Sequence, residues 1–208
     1  MGFIGGSSWA AYRPGPHVAL SVVPPAADAA PILEPLSMDD AKLSAKLELT
    51  AEDDLIPRWI TAARQKVEHD TGYALVPQAW DLGLDTFPRG RALTVPRPPL
   101  RAVTWIKAYD SAGMLQTVSS ALYVVDTTST PGRILLADTG VWPTDLRRAQ
   151  PITVRFDAGW LTDTAVPEGL LVAMRLVVGW LAQNREPSTF ERQAYDEWIA
   201  PYVIPVVG

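Results

Sequence analysis

This sequence predicts an α+β fold: about four helices, a small antiparallel β-sheet inserted between them, and extended arms at both ends. Three observations point there. Apolar residues recur with helical period before residue 72 and again after residue 167. Between residues 79 and 157 they alternate with period two, and residues 1–36 and 201–208 follow neither pattern. The order is therefore arm, two helices, sheet, two helices, arm. No internal repeat interrupts it.

The N-terminal arm, residues 1–36, is rich in Gly, Ala, Ser and Pro and poor in charge. Pro14, Pro16, Pro24, Pro25, Pro31 and Pro35 break any helical or strand pattern, so the arm is expected to be extended with no core of its own. A neighbouring subunit or partner would hold it; the alternative is that it lies back along its own domain. The domain proper is expected at 37–200. Ser37-Met-Asp-Asp40 is a capping-box variant that opens a first helix, 37–47. Thr50-Ala-Glu-Asp53 is a second N-cap signal and opens a longer helix, 51–71. Leu55, Ile56, Trp59, Ile60, Ala63 and Val67 form one apolar stripe along it, and Gly72 is placed to end it.

The inserted β region spans 79–157. Trp80, Leu82 and Leu84 alternate with Asp81, Gly83 and Asp85, which describes a half-buried strand. Ala92–Val95 is a short second strand before the stiff Pro96-Arg-Pro-Pro99 run. Val103–Tyr109 and Met114–Val118 flank Asp110-Ser-Ala-Gly113, a hairpin turn. Further strands are expected at Tyr123–Asp126, Arg133–Leu136 and Ile152–Phe156, giving a sheet built from hairpins.

Pro167 and Glu168 suit the first turn of a third helix, 167–183. From Leu170 to Leu181 that helix is apolar on nearly every face, so it needs cover all round, some of it from a neighbouring subunit. A last helix is expected at 189–200, followed by an apolar, non-helical tail at 201–208 that should also dock somewhere. The candidate subunit or partner interface is accordingly Trp9 and Tyr12 in the arm, Leu170, Met174, Val177 and Trp180 on the third helix, and Tyr202 and Ile204 in the tail.

Composition narrows the function more by exclusion than by assertion. With 48% hydrophobic residues in 208, a packed core is expected. A net charge of -5 lacks the basic excess of proteins that grip phosphate backbones. The absence of cysteine removes disulfides, thiolate metal sites and cysteine nucleophiles. Met1–Val23 shows no charged start with a continuous apolar run, and Val166–Leu181 is short and carries Glu168 and Arg175, so neither a secretory signal nor a membrane span is expected. Only two histidines, His17 and His69, are present, which excludes a His-rich metal site. Asp81 and Asp85 could share a strand face, yet outward polar positions look the same. No phosphate-cradling glycine motif and no nucleophile elbow occurs. No catalytic residue, metal or cofactor is expected. One basic cluster remains: Arg89, Arg91, Arg97 and Arg101, with Lys107 and Trp105 beyond it. It reads as a solvated loop with scattered charge, as a dock for the acidic face of another protein, or as a nucleic-acid contact.

Several phrases resemble the head–tail connector (adaptor) family of tailed phages in its long siphophage form, also found in gene transfer agents. They are Met38-Asp-Asp-Ala-Lys42, Leu47-Glu-Leu-Thr-Ala-Glu-Asp-Asp-Leu-Ile56, Ile60-Thr-Ala-Ala-Arg64 and Val67-Glu-His-Asp-Thr-Gly72. Then come Gln78-Ala-Trp-Asp-Leu82, Val95-Pro-Arg-Pro-Pro-Leu100, Pro131-Gly-Arg133, Val154-Arg-Phe-Asp-Ala-Gly159, Val166-Pro-Glu168 and Asn184-Arg-Glu186. The likeness covers about residues 36–202; residues 1–35 do not match. It implies that the helices form the body of a ring of identical copies, about twelve if it follows portal symmetry. The ring would sit beneath a portal protein in the particle neck, after assembly in the bacterial cytoplasm. It would extend the DNA channel without sequence-specific binding and meet a stopper or tail terminator. Arg89, Arg91, Arg97 and Arg101 would then face the portal or the tail-side partner. The rival readings are a stopper or tail-completion protein of the same particle and, in a different class, a DNA-binding packaging factor.

Overall fold

A computed structural model describes residues 18–26, 33–46, 53–183 and 192–204. Its α+β architecture has a helical layer and a β layer, each with its own apolar core.

The helical layer is α1 (Met38–Ala45), α2 (Ile56–Thr71), α3 (Glu168–Gln183) and α4 (Arg192–Ile199). At the start of α1 the Asp40 amide donates to the Ser37 hydroxyl oxygen at 3.1 Å, the cap that the sequence predicts. The helix closes at Ala45, short of Leu47, because Lys46 turns left-handed at φ 54°. α2 opens at Ile56, later than the expected 51. Residues 53–55 form a turn and Pro57 takes the first helical turn, where its missing amide forfeits no hydrogen bond. The Thr50 cap signal lies outside the described residues. Gly72, at φ 82°, ends α2 as expected, donating its amide to the Glu68 carbonyl at 3.0 Å.

Ile56, Ile60, Ala63 and Val67 of α2 pack with Leu170, Met174 and Val177 of α3, closed by Ala41, Ala45, Tyr195 and Ile199. Each buried Ile, Leu, Met or Val stabilises the fold by roughly 1.5–3 kcal/mol. Leu55, at the edge of the predicted stripe, faces solvent instead. α1 approaches α3 closely because Gly179 has no side chain: a Cβ there would stand 3.2 Å from the Ser44 carbonyl oxygen.

The β layer differs from a simple succession of hairpins. β1 (Val18–Val22), β2 (Gln78–Leu84), β8 (Ile152–Ala158), β4 (Leu100–Tyr109) and β5 (Leu115–Thr117) form one antiparallel sheet in that order. β3 (Ala92–Thr94), β7 (Arg133–Leu136) and β6 (Tyr123–Asp126) form a second. The closing strand β8 lies between β2 and β4, with Val154 opposite both Leu82 and Ile106. Its strict alternation, with every second residue buried, suits the centre of a sheet. The predicted 110–113 turn forms: the Asp110 carboxylate accepts from the Ala112 and Met114 amides at 3.0 and 2.8 Å. These hydrogen bonds hold its carboxyl below the ordinary range.

β1 corrects the expectation that prolines exclude strand from residues 1–36. Pro16 and Pro24 bracket a proline-free window of seven residues, and within it Val18–Val22 pair in register with Leu84–Trp80. Prolines at strand ends are compatible with an edge strand. In these residues the arm lies along its own domain.

Candidate assembly surfaces

The two layers are fastened by a buried ion cluster that sequence reading missed. Arg64 on α2 donates to Glu34 (Nε to Oε2, 2.8 Å; Nη2 to Oε1, 3.2 Å) and to Glu68 Oε2 at 3.0 Å. Glu68 also accepts from the Leu75 amide and from Gln78 Nε2, both at 2.8 Å, so it reaches from the helix to the start of β2. Burial pushes the Glu68 carboxyl above its usual range, against the pull of Arg64 and the Leu75 amide. Burial also opposes the charge of Arg64, but the Glu34 and Glu68 carboxylates overcome it and its pKa is raised. The available signal was Arg64 and Glu68 four apart on one helix face, with Glu34 beyond the α1 entry.

The predicted basic cluster is dispersed. Arg97, at φ 62°, sends Nη1 to the Glu68 carbonyl at 2.6 Å and lays its guanidinium over the Trp80 ring at 4.8 Å. It caps the C-terminal end of α2, where a cation offsets the helix dipole, and is not an exposed docking charge. Arg91 donates to the Leu136 and Ala137 carbonyls beside β7. Arg89 and Arg91 border a cavity of about 430 Å3 floored by Phe87 and Trp142, whose rings stack at 4.6 Å. Arg101 is exposed on β4. Trp105 already carries two cations, Lys107 Nζ at 4.5 Å and Arg155 at 4.9 Å. Of the carboxylates weighed for chemistry, Asp81 is paired with Arg155 at 2.6 Å and Asp85 accepts the Gln150 amide at 2.8 Å. Among the described residues no group of three or more metal-ligating side chains converges, and no helix is long and apolar enough to cross a membrane.

The interface residues expected on α3 separate by face. Leu170, Met174 and Val177 point into the chain's own core and are 0, 0 and 3% exposed, so they have no surface left for a neighbour. The cover expected from another subunit comes from α1, α2 and α4. Trp180 lies on the opposite stripe. There Val172, Leu176 and Trp180, four residues apart, are partly exposed beside the Glu168–Arg175 ion pair. Tyr202 and Ile204 are also fixed within the chain: Tyr202 meets the Tyr73 ring edge-on at 6.2 Å, and the Ile204 amide donates to the Thr71 carbonyl at 3.1 Å. Trp9 and Tyr12 lie outside the described residues, as do residues 205–208 of the tail.

Solved structures with a similar fold include chains of gene transfer agent (GTA) particles. The fold is similar to that of neck chains. A chain in the neck of an empty GTA particle, computed with C6 symmetry, matches with a TM-score of 0.72 at 21% identity, covering 91% of this chain and 98% of that one. A chain in the virion of a native GTA particle matches equally, at 0.72 and 21%, covering 91% of this chain and 97% of that one. A chain in the neck of a native GTA particle, computed with C12 symmetry, matches at 0.65 and 20%, covering 86% and 98%. No protein-family model matches the chain, and no curated protein does. The likeness therefore concerns the fold, and it extends over both layers, including the inserted sheets.

Proposed function

We propose that this protein is a structural subunit of the neck of a phage-like particle, an adaptor forming a ring beneath the portal that extends the DNA channel and joins capsid to tail. The observation that carries this reading is the near end-to-end sharing of a fold with a GTA neck chain, 91% of one and 98% of the other. The order of connector-like phrases along residues 36–202 supports it independently of the coordinates. Twelve copies fit both symmetries under which the similar chains were computed, because a twelvefold ring is also sixfold.

The ring-forming surface on this reading is the outer stripe of α3, Val172, Leu176 and Trp180. Heterologous contacts between identical copies close a ring when each copy offers such a patch to a different patch on the next. The net charge of -5 suits a channel wall along which DNA slides.

The test is Leu176→Glu in the particle-producing cell. Leu176 is 36% exposed and belongs to neither apolar core, so a polar side chain can turn to solvent there in the isolated chain. Tailed, DNA-delivering particles should fall about tenfold or more, since an unpaired charge buried at a subunit contact costs several kcal/mol, while the purified variant keeps its circular dichroism and melting temperature. Normal particle yield would refute the assigned surface. An image of the neck placing the chain away from the portal would give the stopper reading instead, and its absence from the neck would sink both.

A further inference from the structure

Among the described residues, nothing pairs with the outer edge of β1. The ladder to β2 shows which backbone groups that edge offers. The Val23 amide donates to the Ala79 carbonyl at 2.8 Å, and the same register sets Ser21 opposite Asp81 and Ala19 opposite Gly83. Antiparallel ladders alternate, so Ala19 and Ser21 turn their amides and carbonyls toward β2, while Val18, Leu20 and Val22 turn theirs to the open side. Exposed edges are normally protected by a charge, a proline, a bulge or a covering segment. β1, Val-Ala-Leu-Ser-Val, has no charged residue and no internal proline, and its pairing runs without a register shift. Val22 is 50% exposed at its end.

The chain outside the described residues begins where this edge begins. Residues 1–17 lead directly into β1, and Ser7-Ser-Trp-Ala-Ala-Tyr12 is a proline- and glycine-free run with two large aromatics. Arg13-Pro-Gly-Pro-His17 connects the two. That connection is poorly suited to a tight hairpin back onto the same copy. A two-residue turn needs a closing amide, which Pro16 lacks, and a first central residue at positive φ, which Pro14 cannot adopt. Five residues can span up to about 15 Å, which is reach enough to bring residues 7–12 to a second copy.

We propose that residues 7–12 of one copy add as a strand to the open edge of β1 in a second copy, continuing its five-stranded sheet across the subunit boundary. Val18, Leu20 and Val22 supply the backbone partners, and main-chain hydrogen bonds supply most of the contact, as in other strand additions. In the register that sets Trp9 opposite Leu20, the indole covers the half-buried Leu20 and Val18 at the margin of the sheet's core. The contact goes beyond the neck reading, since it needs only two copies and neither a portal nor a closed ring.

The sequence contains no cysteine, so engineered thiols report cleanly. Full-length Ser21→Cys is mixed with tagged full-length chains carrying single cysteines in turn at positions 7 to 12, and the mixtures are oxidised. Disulfides need Cβ atoms about 4 Å apart, so cross-linking should rise and fall with period two along the arm. The product should be a covalent heterodimer. Val22→Pro removes one outward amide without touching the β1–β2 ladder, and it should cut the yield about tenfold. Three outcomes overturn the proposal: no heterodimer at any arm position, doubly substituted chains that close only on themselves, or a yield unchanged by Val22→Pro. None of them bears on where the protein sits in a particle, which the neck image decides.

Discussion

Replacing Arg64 with methionine tests whether the ion cluster joins the layers or merely decorates them. Methionine keeps most of the side chain's length and apolar stem and removes the guanidinium. Glu68, whose side chain is 9% exposed, keeps the Leu75 amide, Gln78 and the more distant charge of Arg97 but loses the cation it is hydrogen-bonded to. Glu34, 23% exposed, keeps the Thr61 hydroxyl at 2.9 Å. Removing one partner of a buried pair costs about 3–5 kcal/mol, because a charge is left without compensation. With a urea dependence of about 2 kcal/mol per molar, the unfolding midpoint should fall by about 2 M. The exposed pair Arg192–Asp196, with side chains 61 and 22% exposed, is the internal control, and Arg192→Met should cost about 0–1 kcal/mol. Adding Glu68→Gln to Arg64→Met removes the stranded carboxylate, so the double variant should be more stable than Arg64→Met alone. Urea unfolding followed by circular dichroism measures all four proteins. A cost for Arg64→Met no larger than the control, or a double variant no better than the single, would refute the reasoning.

Two further outcomes follow from backbone and carboxylate geometry. Gly159 sits at φ 100°, and a Cβ there would collide with the Val76 carbonyl; Gly159→Ala should cost about 3 kcal/mol or more and lower the melting temperature by about 10 °C, and a calorimetric shift under 2 °C would count against the strain. The Asp126 carboxylate accepts from the Ser129 and Thr128 hydroxyls and from Arg133, which together hold it well below the ordinary value of 3.8. Its contribution to stability is therefore present above pH 3.8 and is lost as the pH falls below that through the folded-state value. The side-chain carbon resonance should stay that of the ionised form through the usual carboxylate range, and a midpoint at or above 3.8 would contradict the assignment.

Local chemistry was readable in the sequence wherever one residue type has one use. Ser37 caps α1, Gly72 ends α2, Asp110 closes its turn, and the alternation from Trp80 to Leu84 is a strand. What periodicity does not carry is which side of an element meets which neighbour. α3 is apolar on nearly every face, so nothing in its pattern told Leu170, Met174 and Val177, which are buried within the chain, from Val172 and Leu176, which are not. The place of β8 between β2 and β4 was hidden for a related reason, since strand order is set by long-range pairing and each strand reads alike. Arg97 was grouped with Arg89, Arg91 and Arg101 by adjacency in the chain. In space the Pro96–Pro99 run turns it back onto α2, while Arg89 and Arg91 remain beside Trp142.

The burial of Leu170, Met174 and Val177 moves the candidate assembly surfaces elsewhere. The helical core is closed by elements of the same chain, so those residues need no cover from a second copy. Among the described residues two surfaces stand out, the partly exposed aliphatic stripe of Val172 and Leu176 on α3 and the outer backbone edge of β1. The first gives area without direction; the second gives direction and register through hydrogen bonds with little area. They lie on different layers, held together through Glu68, which bonds Arg64 within the helix and the Leu75 amide beyond it. A neighbour gripping both would load that fastening. On the proposed neck reading, the weakening of Arg64→Met should reach particle assembly as well as unfolding, even though Arg64 itself is buried.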